Sequence, residues 1–228
     1  MTANPPMQAA PALSARSTQS TTVTRIGEKA RFERADLDQL LDTVNIGHVA
    51  LVVDDLPVVL PTAVARDGDR LLLHGSTGSH WMRMVADGAP IAVAVTGFDG
   101  LVVARSAFES SIHYRSGVLF GECGAITGAD KRRCLDLLTE ALLPGRGAEL
   151  REPTVKELAA TLVLAMPIER WSLKVSAGWP DDPPEDVAAD AWAGVIPATI
   201  SYGEPRPAPD LRSGIPLPPS VRRFGTSS

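Results

Sequence analysis

The densest run of chemistry-capable residues is Leu71-Leu72-Leu73-His74-Gly75-Ser76-Thr77-Gly78-Ser79-His80-Trp81-Met82-Arg83. An apolar run ends there, a Gly/Ser/Thr loop follows, and a helix pattern begins. The first amides of a helix have no partner within it and carry positive partial charge. A phosphate placed against them gains several hydrogen bonds together. Ser76, Thr77 and Ser79 add hydroxyls, and His80 and Arg83 add positive charge. The loop matches neither GxxxxGK[ST] nor GxGxxG, so on pattern alone the plainer account is an N-capped helix after a tight turn.

A second run spans residues 104–116, where Arg105-Ser106 and Arg115-Ser116 bracket Phe108 and His113. The planar fork of arginine binds two phosphate oxygens at once, and Arg115 lies near the start of a long strand pattern. Salt-bridging arginines at strand ends are the competing account. The four histidines, His48, His74, His80 and His113, form no HxxxH or HxH pair, which argues against a first-row metal site. A haem needs only one axial histidine, so that option stays open. No GxSxG occurs. Trp192 either covers a flat ring system or packs the end of a barrel.

The chain that positions these residues has 228 residues and a formal net charge of -5, with no basic stripe, which argues against nucleic acid. Hydrophobic residues make up 44%, enough for one domain with a sizeable core. Cys123 and Cys134 belong to no CxxC pair and read as reduced thiols. Residues 1–25 lack the apolar core of a secretory signal, and no run is long enough to cross a membrane. A cytoplasmic protein is the expectation.

Composition marks residues 1–25 and 202–228 as tails, the second rich in proline, around a domain at 26–201. Asp36 is placed as the cap of a helix ended by Asn45 and Gly47. Strands follow at 48–53, 57–65 and 70–74, with turns at Asp54-Asp55-Leu56-Pro57 and Arg66-Asp67-Gly68-Asp69. The loop at 75–79 opens a helix at about 79–87. Further strands fall at 90–96, 100–107 and 113–126. An amphipathic helix at 129–143 turns Cys134, Leu135, Leu138, Ala141 and Leu142 inward. Thr154 and Glu157 match a capping box, and late strands cover about 162–175 and 192–200. Consecutive strands joined by hairpins point to a mainly β protein, an antiparallel barrel with helices at its margins.

Four blocks occur in order: LLLHGSTGSHWMRMVADGAPIAVAVT, GLVVARSAFESSIHYRSGVLFGECGAI, LLPGRGAELREPTVKELAATLVLAMPIERWSLKV and WAGVIP. Together they resemble the flavin-nucleotide-binding branch of the pyridoxamine-phosphate-oxidase-like superfamily, related to the nitroimidazole-resistance (Nim) proteins. The resemblance covers about residues 25–200. It implies a split β-barrel homodimer with FMN in clefts contacted by both chains. It places Pro61, Thr62 and Ala63 beside the isoalloxazine ring. The loop His74-Gly75-Ser76-Thr77-Gly78-Ser79 would face the phosphate, with Arg115 and Ser116 near it. His74 would face a substrate, and Trp192 would approach from the partner chain. His80 stands where such loops usually carry a stronger base, and Trp81 where the wider superfamily often has lysine.

The function expected is therefore an FMN-dependent oxidoreductase acting on a small molecule, with His74 as the candidate acid or base. The rivals are a flavin carrier or sensor without turnover, and a haem- or deazaflavin-binding protein on the same barrel. For haem, His74 or His113 would be the ligand to test first.

Overall fold

In the computed structural model, residues 27–224 are described, so the N-terminal tail expected at 1–25 lies outside them. The elements follow in chain order as β1 (Ala30–Arg31), α1 (Arg34–Thr43), β2 (Ile46–Val53), β3 (Leu56–Asp67), β4 (Arg70–Ser76) and α2 (His80–Ala86). Then come β5 (Ile91–Val103), β6 (Ser111–Gly121), β7 (Gly124–Ala125), α3 (Gly128–Leu142) and α4 (Val155–Ala160). The chain continues with β8 (Thr161–Pro167), β9 (Arg170–Ser176), α5 (Pro184–Val187), β10 (Gly194–Pro197) and α6 (Pro219–Arg222).

Every strand pairing is antiparallel, in the order β1-β9-β6-β5-β2-β3-β4-β8-β7, with β10 added to β5. The ladder is an open path rather than a closed ring, which is the split-barrel arrangement. β3 changes partner along its length. Residues 56–63 pair with β2, and from Val64 onward it pairs with β4. Its alternating pattern supports this by presenting apolar residues to both faces in turn.

The barrel interior is filled by Val49, Leu51, Leu71, Leu73, Val93, Val95, Leu119, Leu164 and Leu173, closed at one side by Leu37, Leu40 and Leu41 of α1. Gly117 lets that helix approach β6, because a Cβ there would stand 3.0 Å from Leu37 Cδ1 and 3.2 Å from Leu40 Cδ2. A second cluster lies under α3, where Cys134 and Leu138 cover Ala65, Leu72 and Val163.

Several local expectations are corrected. α1 begins at Arg34 after Glu33, so Asp36 sits in its first turn and is not its cap. It stops at Thr43, and Asn45 instead donates from Nδ2 to Ala141 O at 2.6 Å, while Gly47 lies inside β2. The two strands expected at 90–107 are one long strand with a bulge between Phe98 and Gly100. The single strand expected at 162–175 is two. β8 closes on β4 and β9 on β6, and the chain crosses between them at buried Ile168, just past Pro167. The capping box is formed as expected: the Glu157 amide donates to Thr154 Oγ1 at 3.2 Å, and the Thr154 amide donates to Glu157 Oε2 at 2.7 Å. The proline-rich segment after residue 202 is irregular until α6, whose Ser220 is buried.

Candidate functional site

Cross-strand partners share a face of the sheet, as do residues two apart. Ala65 pairs with Leu72, so Ala63 and His74 lie on one face of adjacent strands. By the same rule Pro61, paired with His48, shares the face of Ala63, whereas Thr62 points the other way with Gly47. On this outer face α3 covers Ala65 and Leu72. Beyond it the face carries exposed apolar side chains: Val52 on β2, Val59 on β3, and Phe98 and Leu101 on β5.

His74 lines a cavity of about 470 Å³ on the α3 side. Leu135, Leu138 and Leu142 form one wall, at the three- and four-residue spacing of one helix face. Leu150 adds to that apolar surface, and Arg132 and Arg151 bring positive charge. Both arginines are paired. Arg132 Nε donates to Asp136 Oδ1 at 2.9 Å, and Arg151 Nη2 to Glu157 Oε1 at 2.6 Å. The His74 Nδ1 is buried and has no hydrogen-bond partner. Burial pushes the imidazole pKa below its usual 6.5, so the ring is neutral near pH 7.

The loop expected to cradle phosphate is largely bonded to its own chain. Ser76 Oγ accepts from Gly78 N at 3.1 Å. The amide and hydroxyl of Thr77 both donate to Ala160 O, at 3.0 and 3.2 Å. Arg83 Nη1 donates to Thr77 O at 3.0 Å. Gly75 packs against Met82, and α2 is only seven residues long. Ser79 makes no side-chain cap bond and is half-buried, while Ser76, Thr77 and His80 are exposed. Trp81 packs against the barrel core.

Arg115 is not part of that loop. It lies on β6, and β5, β2 and β3 separate it from β4. Its guanidinium grips Asp99 and also donates to Thr43 Oγ1 at 3.1 Å. Ser116 Oγ faces Thr96 Oγ1 at 3.4 Å across the β5–β6 ladder. Trp192 is 67% exposed and folds over Gly194, where a Cβ would meet its ring at 2.8 Å. His113 is bonded through Nε2 to Gly178 O at 2.8 Å. The structure thus brings His74 together with Arg132, Arg151 and the α3 leucines, a grouping that sequence reading missed. The leucine spacing was visible and was read as core, which Cys134 and Leu138 do form; that the same face also lines a cavity was not read.

The family model described as pyridoxamine 5'-phosphate oxidase matches residues 33–175. The chain belongs to this family. A solved structure of the FAD and haem binding protein from Mycobacterium smegmatis is 56% identical, with a TM-score of 0.83, covering 86% of this chain and 97% of its own. The flavocytochrome Anf3 from Azotobacter vinelandii is 34% identical, also with a TM-score of 0.83, covering 90% of this chain and 95% of its own. A nitroimidazole-resistance-type protein from Bacteroides thetaiotaomicron shares the fold at 15% identity, with a TM-score of 0.55 over 64% of this chain and 86% of its own. No curated protein matches. Among the described residues no helix is long and apolar enough to cross a membrane.

Proposed function

We propose that this protein is a flavin-binding redox protein that also holds a haem against His74. The observation that carries the reading is the buried, unpartnered Nδ1 of His74, a residue that lines a cavity of about 470 Å³ walled on one side by leucines. A neutral imidazole is the form that ligates iron. The leucine wall suits the flat apolar body of a tetrapyrrole, while the charges of Arg132 and Arg151 are already matched by Asp136 and Glu157 in the same lining. The 56%-identical relative binds FAD and haem, which supports both halves of the proposal. It also makes FAD, rather than the FMN expected from sequence, the first flavin to test.

When bound, a flavin supplies hydride or single-electron transfer and a haem one-electron chemistry. The chain's own work is binding and tuning. His74 is held neutral by desolvation, and Leu135, Leu138 and Leu142 keep water from one side of the cavity. The flavin is assigned to the outer face beside Pro61, Ala63 and Ser116, with Ser79 and His80 toward its phosphates. The exposed Val52, Val59, Phe98 and Leu101 on the same sheet favour a second copy of the chain as the cover, with Trp192 reaching across. Oxidoreduction of a small molecule is the resulting reaction class.

The test is a pair of titrations on protein stripped of bound groups, one with hemin and one with FAD. His74→Ala is expected to abolish the sharp Soret band of bound hemin, and the FAD titration reads how far the neighbouring flavin site is coupled to it. Unchanged hemin binding by the folded variant overturns the assignment.

A further inference from the structure

The last described helix is fastened to the wall of the His74 cavity. Ser220 is 1% exposed; its amide donates to Glu149 Oε1 at 3.0 Å and its hydroxyl to Glu149 Oε2 at 2.5 Å. Arg146 Nη1 donates to the same Oε2 at 3.0 Å. Within two residues of Glu149 the chain reaches a different surface. Gly147 and Leu150 line the cavity, and Arg151 follows them. On the helix side, the Arg223 guanidinium lies against Gly145, 3.0 Å from where a Cβ would stand. The rings of Tyr202 and Phe224 meet edge-on at 4.7 Å, which ties the two ends of the proline-rich segment together.

The wall so held has little structure of its own. Between α3 and α4 the chain forms only a three-residue 3-10 turn at Gly147–Glu149. Its backbone bonds are short-range: Arg146 N to Leu143 O, Glu149 N to Arg146 O and Leu150 N to Gly147 O. Such a segment opens at low cost unless something outside it supplies contacts. The carboxylate of Glu149, bonded to Ser220 by two charge-assisted hydrogen bonds, is one such contact at the middle of the segment, whose two ends are held by Gly145 N to Glu140 Oε2 at 2.7 Å and by Arg151 to Glu157.

We propose that α6 is a clasp: the Ser220–Glu149 contact holds residues 145–151 against the cavity and sets the rate at which a ring ligand enters and leaves it. The ligand part of this statement rests on the proposed function above. The clasp itself does not, because it is a contact within one chain. The C-terminal segment thereby becomes a working part of the site, built from residues that share no motif with His74.

The experiment uses the full chain with Ser220→Ala, Glu149→Gln and the double variant. Hydrogen–deuterium exchange is measured across 145–151 without added ligand. Release of bound hemin to an excess of an apo-globin is timed in parallel. Loss of one hydrogen bond to a carboxylate is expected to speed exchange of 145–151 by about tenfold. Protection in β4 and β8 should stay unchanged, and hemin release should accelerate to a similar degree. The double variant should resemble the single ones, since both remove one contact. Unchanged exchange at 145–151 overturns the clasp. Faster exchange there with unchanged hemin release overturns its control of the cavity. If the parent protein takes no hemin at all, the ring-ligand reading fails with it, while faster exchange at 145–151 still sustains the clasp.

Discussion

Arg115 and Asp99 hold each other by two contacts, Nε to Oδ2 at 3.0 Å and Nη2 to Oδ1 at 2.9 Å. The pair bridges β5 and β6, and through Thr43 it joins the barrel to the end of α1. The carboxylate beside it raises the guanidinium pKa further above its usual range. An arginine so engaged is already neutralised, which changes the role that its sequence neighbourhood implied.

Arg115→Ala is therefore expected to act mainly on stability. The two side chains are 27% and 36% exposed, so solvent screens the pair, and its loss should cost about 1 kcal/mol or less. FAD affinity, measured by calorimetric titration, should stay within about twofold. A loss of tenfold or more would show instead that the guanidinium leaves Asp99 for a ligand phosphate.

Why this pair escaped sequence reading is a matter of register. Asp99 and Arg115 are sixteen residues apart, and only the β5–β6 ladder, with its bulge at Phe98/Gly100, makes them neighbours. The β2–β3–β4 region was legible because Asp-Asp and Asp-Gly turns separate strongly apolar runs. The leucine stripe of α3 was legible as a face, but not as the wall of a cavity, since periodicity does not say what lies opposite. The β8–β9 crossing is marked in the sequence only by Pro167 and the charged Glu169-Arg170 pair between two apolar runs, and these were read as part of one strand. The contacts of α6 were hidden because proline-rich composition speaks against packing, yet one serine and one glutamate suffice to anchor the segment. The resemblance led to the right family, while the flavin of the 56%-identical relative is FAD.

The acid limb of stability should depend on Asp67. Arg133, and then Arg70, hold its carboxyl down to a pKa of about 2. A carboxylate whose folded pKa is depressed contributes stability above its unfolded value, near 3.9, and loses it as pH falls toward about 2. Chemical denaturation from pH 5 to pH 2 should show Asp67→Asn less stable at pH 5 and with a flatter decline. An identical slope in parent and variant would remove Asp67 from the acid response.

The β2–β3 turn offers a stabilising change. Asp54 and Asp55 have φ of 49° and 62°, a left-handed pair of the kind that favours glycine in the second place. Asp55→Gly should raise unfolding free energy by about 0.5–1 kcal/mol, the relieved strain less the extra backbone entropy of glycine. Thermal denaturation reads the sign, and a lower melting temperature would refute the turn assignment.

The exposed outer face should behave as a contact between copies. Val59 is 61% and Phe98 52% exposed on neighbouring parts of one sheet. Replacing both with glutamate should convert a dimer to a monomer in sedimentation velocity and weaken flavin binding with it. A parent protein that sediments as a monomer at micromolar concentration would contradict the shared flavin site.

The measurement that tests the central claim most directly is the absorbance spectrum of the protein as purified, followed by mass spectrometry of whatever heat or acid releases from it. The account predicts a sharp Soret band over a broad blue flavin absorbance, with haem and FAD both released. A colourless protein that takes up neither hemin nor FAD when they are added would contradict it.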